Sequence, residues 1–287
     1  MNVMNVVKSI FVMIYIPALV FGAGKSSYIL YTNGMTYQWL GALIATLVPA
    51  VIIVPIFAAA NKARLPSVLP WMTAAVVGSA VAIFGLVQGE EPTKALIYCF
   101  GFGITGSFLY NFWYSRLGDR TKDQVIEVGK KLPAFELSTT SGESFSSKDL
   151  QGSPVLMMFY RGNWCPLCMA QIKEVVAQYK ELSAKGVRVL LVSSQPDDNT
   201  EGLAKKFEVP FEFMVDKDNR AAESLKILHK NGTPMGLQVR GYTSDTAMPT
   251  VVITDAKGKV IFADLTDNYR LRPEPDVFID VLNAAGI

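Results

Sequence analysis

The sequence predicts two structural parts: an α-helical transmembrane bundle of about four spans in residues 1–116, and a mixed α/β domain in residues 133–287. A polar linker, residues 117–132, joins them. The uneven distribution of charge leads to this division. Residues 1–120 contain ten charged side chains, about 8%, whereas residues 121–287 contain 42, about 25%. The second fraction is ordinary for a water-soluble domain and the first is not.

The apolar part contains long stretches without a formal charge. Residues 37–58 form one of 22 residues, which at about 1.5 Å per residue crosses a hydrocarbon core of about 30 Å. The first apolar segment is shorter and has a basic start at Lys8, so it also suits a cleaved signal peptide. We expect four spans, at about residues 5–24, 37–58, 69–88 and 95–114.

Small residues recur four positions apart in three of these spans, which lets helix backbones approach closely. They are Gly41 with Ala45, Ala74 with Gly78 and Ala82, and Gly103 with Ser107. We therefore expect a compact helical bundle. Cys99 is the single cysteine within it, and we expect it to serve as a small buried hydrophobic side chain.

The basic residues predict the orientation, because short loops rich in lysine and arginine stay on the cytoplasmic side. With four spans, the N-terminus, the 59–68 loop and the region after residue 114 share one side. That side carries Lys8, Lys62, Arg64, Arg116, Arg120 and Lys122, and the other carries Lys25 and Lys94. The sequence predicts a multi-pass protein, in a bacterial inner membrane, with its α/β domain on the cytoplasmic side. A net charge of +2 does not suggest nucleic-acid binding.

The second part alternates between strand and helix patterns. A buried strand is followed by an amphipathic helix and a second strand, which is typical of a βαβ unit, and a hairpin and a final helix close the domain. The predicted strands are 155–160, 187–193, 211–215, 250–254 and 259–263, and the predicted helices are 166–185, 201–207, 221–228 and 274–285.

A C-x-x-C motif, Cys165 to Cys168, lies at the first strand-to-helix junction. The first sulfur would lie at the helix N-terminus, where free N–H groups and the helix dipole stabilise a thiolate, and the second one turn inside. Cys165 is then the nucleophile and Cys168 the resolving thiol, while Pro166 suits the first helical turn. The alternative is a zinc site, for which this part offers two cysteines and His229 where zinc takes four ligands.

A second motif makes the prediction more specific, since Met248 and Pro249 immediately precede the hairpin. The opening GKKLPAFELSTTSG at 129–142 and FYRGNWCPLC at 159–168 resemble the peroxiredoxin-like family, also called the alkyl hydroperoxide reductase and thiol-specific antioxidant family, of the thioredoxin superfamily. The resemblance covers residues 127–287.

This resemblance implies a thioredoxin fold with a redox-active disulfide between Cys165 and Cys168, no cofactor and no metal. It implies a cis peptide bond at Pro249 that packs against the cysteines. In such a fold Pro249, with Met248 before it, offers backbone groups to an extended substrate.

Several residues around the motif have two readings. Arg161 stabilises the thiolate or is a solvated loop charge, and Trp164 packs beside the nucleophile and limits access. His229 is expected to cap or solvate a helix end. Residues 232–245 are a loop that shapes substrate access or is only a long excursion.

The sequence also departs from the family pattern. Peroxiredoxins carry Pro-x-x-x-Thr/Ser-x-x-Cys, but the corresponding positions before Cys165 are Met158 and Gly162. Thioredoxins carry a buried acid at the position of Phe159.

The leading hypothesis is a membrane-anchored thiol–disulfide oxidoreductase that reduces a protein disulfide or a peroxide. Its partners would be the lipid bilayer and a thiol reductant such as a thioredoxin or glutathione system. The alternatives are a peroxiredoxin-type antioxidant peroxidase and a redox sensor without enzymatic activity. The predicted site comprises Cys165 and Cys168 as catalytic residues and Pro249, Met248, Trp164, Arg161 and Pro166 as substrate-positioning residues.

Overall fold

The computed structural model describes residues 2–65, 67–118, 120 and 124–287. Lys122, which entered the charge count above, and part of the predicted linker lie outside the described residues. The chain divides into two compact units. The helical unit comprises Val7–Asn61 and Leu65–Arg116, and the α/β unit comprises Met1–Val6, Lys62–Arg64 and Leu117–Ile287.

Four helices of the first part are long and apolar enough to cross a membrane, with mean hydropathy of 1.3 or higher in each. They are α1 Val3–Asn33, α2 Tyr37–Ala59, α3 Leu69–Val87 and a fourth helix, Ala95–Tyr114. The fourth begins as α4 Ala95–Ile97 and continues as two π-helical segments, Tyr98–Gly106 and Leu109–Tyr114.

The first helix is longer than the predicted span 5–24, because the polar residues after Gly24 continue it without a break. It ends before Gly34, whose φ of 90° only glycine adopts freely.

The small residues of α2 and α3 meet at a close helix crossing. A Cβ atom added to Gly41 would overlap the carbonyl oxygen of Gly78, and one added to Gly78 would overlap that of Gly41. A Cβ on Gly103 would lie 2.9 Å from the Ala45 Cβ atom. The prediction that these positions let helix backbones touch is confirmed.

A seven-stranded mixed sheet forms the centre of the α/β unit, in the order β2-β1-β5-β4-β3-β8-β9. The strands are β1 Glu136–Thr139, β2 Ser144–Ser146, β3 Val155–Phe159, β4 Arg188–Ser193, β5 Glu212–Val215, β8 Thr250–Thr254 and β9 Val260–Asp264. Strand β3 is parallel to β4 and antiparallel to β8. All five of its side chains are buried, which accounts for its continuous apolar sequence.

The other elements of the α/β unit are a short two-stranded ladder, helices and 3-10 turns. A two-stranded ladder pairs β6 Leu228–His229 with β7 Thr246–Ala247. The helices are α5 Pro166–Ala177, α6 Tyr179–Ala184, α7 Asp197–Phe207, α8 Arg220–Ser224 and α9 Pro275–Ala284, with short 3-10 turns at Ser147–Leu150, Lys217–Asn219 and Leu237–Arg240. The predicted fold class, a helical bundle followed by an α/β thioredoxin-like domain, is confirmed.

Two element predictions were wrong in detail, and one hairpin was missed. The helix predicted at 166–185 is interrupted at Gln178, where α5 gives way to α6. The helix predicted at 221–228 stops at Ser224, because Lys226 takes a left-handed φ of 55° and turns the chain into β6. The hairpin of β1 and β2 was not predicted at all, since its two strands are short and mostly polar.

Candidate active site

The two cysteines lie where the central strand β3 leads into helix α5. Cys165 is the N-cap residue, with extended backbone (φ −89°, ψ 107°), and Pro166 is the first helical residue. Cys168 lies in the first turn of α5, and the two sulfur atoms are 2.6 Å apart. Cys165 retains 3% exposure, whereas Cys168 is completely buried. Because the sulfur atoms are already close, a disulfide between them needs no large movement.

A buried arginine from a distant part of the chain contacts the inner cysteine. Arg272, which precedes α9, points its Nη2 atom at the Cys168 sulfur at 3.5 Å. Its Nη1 atom donates to the side-chain oxygen of Gln171 at 2.7 Å, and its Nε atom to the carbonyl oxygen of Tyr269 at 3.2 Å. Arg272 is 9% exposed, so its positive charge acts on Cys168 with little solvent screening.

The charges around the pair shift the two thiol pKa values in opposite directions. Burial raises the pKa of Cys168, but the hydrogen bond with Cys165 and the guanidinium of Arg272 outweigh it and lower the pKa to about 5. Burial, with the hydrogen bond and charge of Cys168, raises the pKa of Cys165 well above its ordinary value. These directions favour a thiolate on Cys168 over one on Cys165, whereas the helix dipole alone led us to expect the thiolate at Cys165.

Arg161 is the second cation of the site and it is buried rather than solvated. Its guanidinium lies 4.7 Å from the centre of the Trp164 ring and donates to the carbonyl oxygen of Gly232. The charge of Arg161 opposes the rise in the Cys165 pKa and adds a small contribution to the lowering of the Cys168 pKa. Of the two readings given above, the structure favours a cation that supports the thiolate.

The turn before the cysteines depends on a glycine. Gly162 has φ 138°, and a Cβ atom there would come within 2.8 Å of the Trp164 indole nitrogen. Trp164 is half-buried beside this turn. Any other residue at 162 would be strained and would displace Trp164.

Met248 and Pro249 immediately precede β8, at the same end of the sheet as the loop that leads to the cysteines. Thr250 of β8 pairs there with Phe159, the last residue of β3. Their backbone groups bind within the unit. The Met248 N–H donates to Ile227 at 2.7 Å, and the Pro249 carbonyl accepts from Arg120 at 2.5 Å.

Two expectations for this segment are therefore corrected. None of the peptide bonds in the described part of the chain is cis, so the bond before Pro249 is trans. The backbone groups expected to receive an extended substrate already have partners, including the Thr250 hydroxyl on the Met248 carbonyl.

Residues 232–245 pack against the cysteine loop instead of extending away from it. The Tyr242 hydroxyl donates to the Asn163 side chain and accepts from Asn199 at 3.0 Å. Gln195 accepts from the Asn163 N–H at 2.8 Å and donates to the Tyr160 hydroxyl at 3.0 Å. This network fixes the segment that leads to Cys165.

His229 does not cap a helix, as had been expected. It lies buried in β6, paired in register with Thr246 of β7, because the chain has already left α8. Among residues 2–65, 67–118, 120 and 124–287, no three His, Cys, Asp or Glu side chains gather as a metal site would require. The donor set considered for zinc is therefore not assembled there.

Sequence reasoning missed Arg272, Gln171 and Tyr242. Arg272 is separated from Cys168 by 104 positions and follows no motif. Gln171 had a usable signal, since it lies three residues after Cys168 on the buried face of α5 and a buried amide needs a partner. Tyr242 lay within a loop whose packing no local pattern reveals.

Comparisons with known proteins agree with this architecture. The AhpC/TSA family profile matches residues 128–263. A protein named peroxiredoxin bcp from Coxiella burnetii is 34% identical over 103 residues, covering 36% of this chain and 68% of its own length. The thiol-disulfide oxidoreductase ResA of Bacillus thuringiensis subsp. konkukian is 26% identical over 170 residues, covering 58% of this chain and 80% of its own.

Solved structures that match part of this chain include the crystal structure of Enterococcus faecalis AhpC, at 14% identity and a TM-score of 0.46, covering 57% of this chain and 93% of that one. The identity to the Coxiella protein over two thirds of its length shows the relationship at the level of sequence. This chain belongs to the AhpC/TSA family, and its thioredoxin-like domain is that of an oxidoreductase.

Proposed function

We propose that the protein is a membrane-anchored thiol–disulfide oxidoreductase in which Cys165 attacks the substrate and Cys168 completes the reaction. The observation that carries this proposal is the pair of sulfur atoms 2.6 Å apart at the start of α5, beside a buried guanidinium. The relative named as a thiol-disulfide oxidoreductase supports the same chemistry.

The reaction has two exchanges. The Cys165 thiolate attacks one sulfur of a substrate disulfide, a mixed disulfide forms, and the departing sulfur takes up a proton. The Cys168 thiolate then attacks the Cys165 sulfur and releases the second substrate thiol. The substrate gains two electrons, the domain keeps a Cys165–Cys168 disulfide, and an external thiol reductant restores the dithiol.

The assignment of Cys165 as nucleophile rests on access. Cys165 is 3% exposed and Cys168 is completely buried, while Cys168 is the residue of the two whose pKa is lowered. A proton need only cross between two sulfurs 2.6 Å apart to put the charge on Cys165. When a substrate disulfide approaches, the proton of Cys165 moves to Cys168 and the Cys165 thiolate attacks the substrate. Cys168 keeps this proton until the second exchange.

The four apolar helices support membrane insertion. The excess of lysine and arginine in the predicted inner loops supports a cytoplasmic α/β domain, and hence a thioredoxin or glutathione system as reductant. We extend this to a bacterial inner membrane, as the bacterial relatives suggest.

Peroxide reduction is the second candidate, and the name of the Coxiella relative favours it. Peroxide would oxidise Cys165 to a sulfenic acid, with which Cys168 would condense to form the disulfide and release water. Two features weigh against it. Gly162 stands where a peroxiredoxin has a hydroxyl side chain, and the Arg161 guanidinium is already bound to Gly232 and stacked on Trp164.

The two functions are separated by the oxidant that the reduced protein prefers. The full-length protein in detergent, carrying Cys99→Ser, is reduced and mixed with glutathione disulfide or with hydrogen peroxide, and formation of the Cys165–Cys168 disulfide is timed. We expect the second-order rate constant for glutathione disulfide to be at least about tenfold larger than that for hydrogen peroxide, a difference of ~1.4 kcal/mol in activation free energy. Cys165→Ser should abolish both reactions. A faster reaction with peroxide would establish the peroxidase instead, and unchanged turnover in Cys165→Ser would refute both.

A further inference from the structure

Arg272 is a buried cation, and every group to which its guanidinium donates a hydrogen bond is uncharged unless Cys168 is ionised. Its three hydrogen-bonded neighbours are the Gln171 side chain, the Tyr269 carbonyl and the Cys168 sulfur. Among the described residues, no carboxylate lies within ion-pair distance of its guanidinium. A buried cation without an anionic partner is costly, and a thiolate at Cys168 removes that cost.

The oxidation state of the pair decides whether this partner exists. In the dithiol form the pair holds a negative charge at Cys168, 3.5 Å from Arg272. In the disulfide form neither sulfur can carry a charge, and Arg272 is left with neutral partners. The guanidinium therefore stabilises the reduced form relative to the oxidised form.

We infer that Arg272 is a positioning residue that acts as the counterion of the Cys168 thiolate, favouring the dithiol over the disulfide and making Cys168 the leaving group when the disulfide is reduced. This inference rests on the proposed exchange function. Arg272 belongs to none of the sequence motifs, and its effect on the exchange reaction operates through Cys168.

The step that Arg272 assists is the reduction of the domain by an external dithiol. A thiolate of the reductant attacks the Cys165 sulfur, a new S–S bond forms, and the Cys165–Cys168 bond breaks with its electron pair going to Cys168. The second thiol of the reductant then displaces Cys165, which takes up a proton, and the reductant leaves as a disulfide. A leaving thiolate with a lower pKa departs faster.

The charges facing Cys168 agree with this role. The Cys165 hydrogen bond and Arg272 both lower the Cys168 pKa, and Arg161 adds a smaller contribution. Burial lowers the pKa of Arg272, but the charges of Cys168 and Cys165 and the hydrogen bond with Cys168 together outweigh it and raise that pKa. Asp264 acts on Arg272 only weakly, and Tyr160, also near Cys168, stays neutral because burial raises its pKa.

The test uses the full-length protein in detergent with Cys99→Ser as the parent. Arg272→Met removes the charge at similar volume, Arg272→Lys keeps it, and Arg220→Met, at an exposed arginine of the same unit, is the control. Each protein is equilibrated in glutathione buffers and the Cys165–Cys168 disulfide is quantified by mass spectrometry. Thiolate absorbance is followed against pH.

For Arg272→Met we expect the equilibrium to shift towards the disulfide by about tenfold or more, which is about 30 mV, and the first thiol ionisation to move to higher pH. Arg272→Lys should restore much of both, and Arg220→Met should match the parent. If Arg272→Met folds, as judged by circular dichroism, and leaves the equilibrium and the titration unchanged, the inference is wrong. If Arg272→Met does not fold, Arg272→Lys decides the question. A thiol titration like that of the parent protein upholds the role of Arg272. Loss of the low-pH ionisation together with an unshifted dithiol–disulfide equilibrium refutes it.

Failure of the proposed function looks different. In that case the parent protein itself would form no Cys165–Cys168 disulfide with glutathione disulfide at any ratio. An active parent together with an unaffected Arg272→Met protein would refute the role of Arg272 alone.

Discussion

The chain buries cysteine in two contrasting environments. Cys99, in the helical unit, is completely buried in a cluster with Trp39, Ala42, Ala82 and Ala95, and its sulfur lies 4.0 Å from the Gly78 carbonyl oxygen. Cys168 is also completely buried and Cys165 is 3% exposed, but the guanidinium groups of Arg272 and Arg161 act on them. Burial is common to both sites, so the nearby positive charge is what distinguishes a reactive pair from a packing residue.

The two units also differ in how they satisfy buried polar groups. In the helical unit a neutral hydroxyl does so, since Ser107 accepts from the Trp71 indole at 2.7 Å and hydrogen-bonds the Tyr15 hydroxyl at 3.1 Å. In the α/β unit the buried groups include arginines beside the cysteines. The two environments therefore differ in the charge that lies beside the sulfur atoms, and this contrast can be tested by altering each unit separately.

The largest expected effect is a difference in alkylation between the two cysteine environments. Because the Cys168 pKa is lowered to about 5, the pair keeps a thiolate as pH falls until about pH 5, whereas a thiol of ordinary pKa, about 8.5, is almost wholly protonated at pH 6. We expect iodoacetamide at pH 6 to modify the Cys165–Cys168 pair at least about 100-fold faster than Cys99. Peptide mass spectrometry against time measures both rates, and equal rates would remove the contrast.

A smaller effect is expected from overpacking the helix crossing. Gly41→Leu would drive a side chain into the backbone at Gly78 and should destabilise the helical unit by about 1–3 kcal/mol or more. Gly24→Leu is the matched control, because a Cβ atom there meets nothing within 4 Å. Thermal unfolding in detergent should separate the two variants, while the thiol titration of the α/β unit stays the same in both. A Gly41→Leu protein as stable as Gly24→Leu would contradict the close crossing.

The smallest effect concerns the loop that supports the cysteines. Tyr242→Phe removes the hydroxyl that joins Asn163 to Asn199, at a cost of about 0.5–1.5 kcal/mol. We expect kcat/KM for a disulfide to fall roughly 2- to 10-fold, with Tyr31→Phe, at an exposed tyrosine of the helical unit, unchanged. No loss in Tyr242→Phe would mean that the loop does not position Cys165.

Much of this architecture could be predicted because its signals are local. Uncharged stretches marked the four helices, and the apolar run of β3 followed by Cys165 and Cys168 marked the strand-to-helix junction. Small residues four positions apart indicated the contact between α2 and α3. Each of these depends on neighbours within a few positions of one another, or on the general physics of membranes.

The parts that could not be predicted depend on contacts between distant segments. Arg272 reaches Cys168 only after α9 has packed beside α5, and no spacing rule links them. The lowered pKa of Cys168 reflects its hydrogen bond with Cys165 and, after it, the charge of Arg272, whereas the helix dipole alone pointed to a thiolate at Cys165. The backbone partners of Met248 and Pro249 likewise come from Ile227 and Arg120.

The central claim, that Cys165 attacks the substrate first and Cys168 resolves the mixed disulfide, is tested most directly by trapping. The full-length Cys99→Ser, Cys168→Ser protein is reduced, mixed with glutathione disulfide and analysed by mass spectrometry after digestion. The account predicts a stable glutathione adduct on Cys165 that an added thiol removes, whereas the Cys99→Ser protein forms the Cys165–Cys168 disulfide with no lasting adduct. A Cys165 that stays free under these conditions, while Cys168 takes up glutathione in the Cys99→Ser, Cys165→Ser protein, would contradict it.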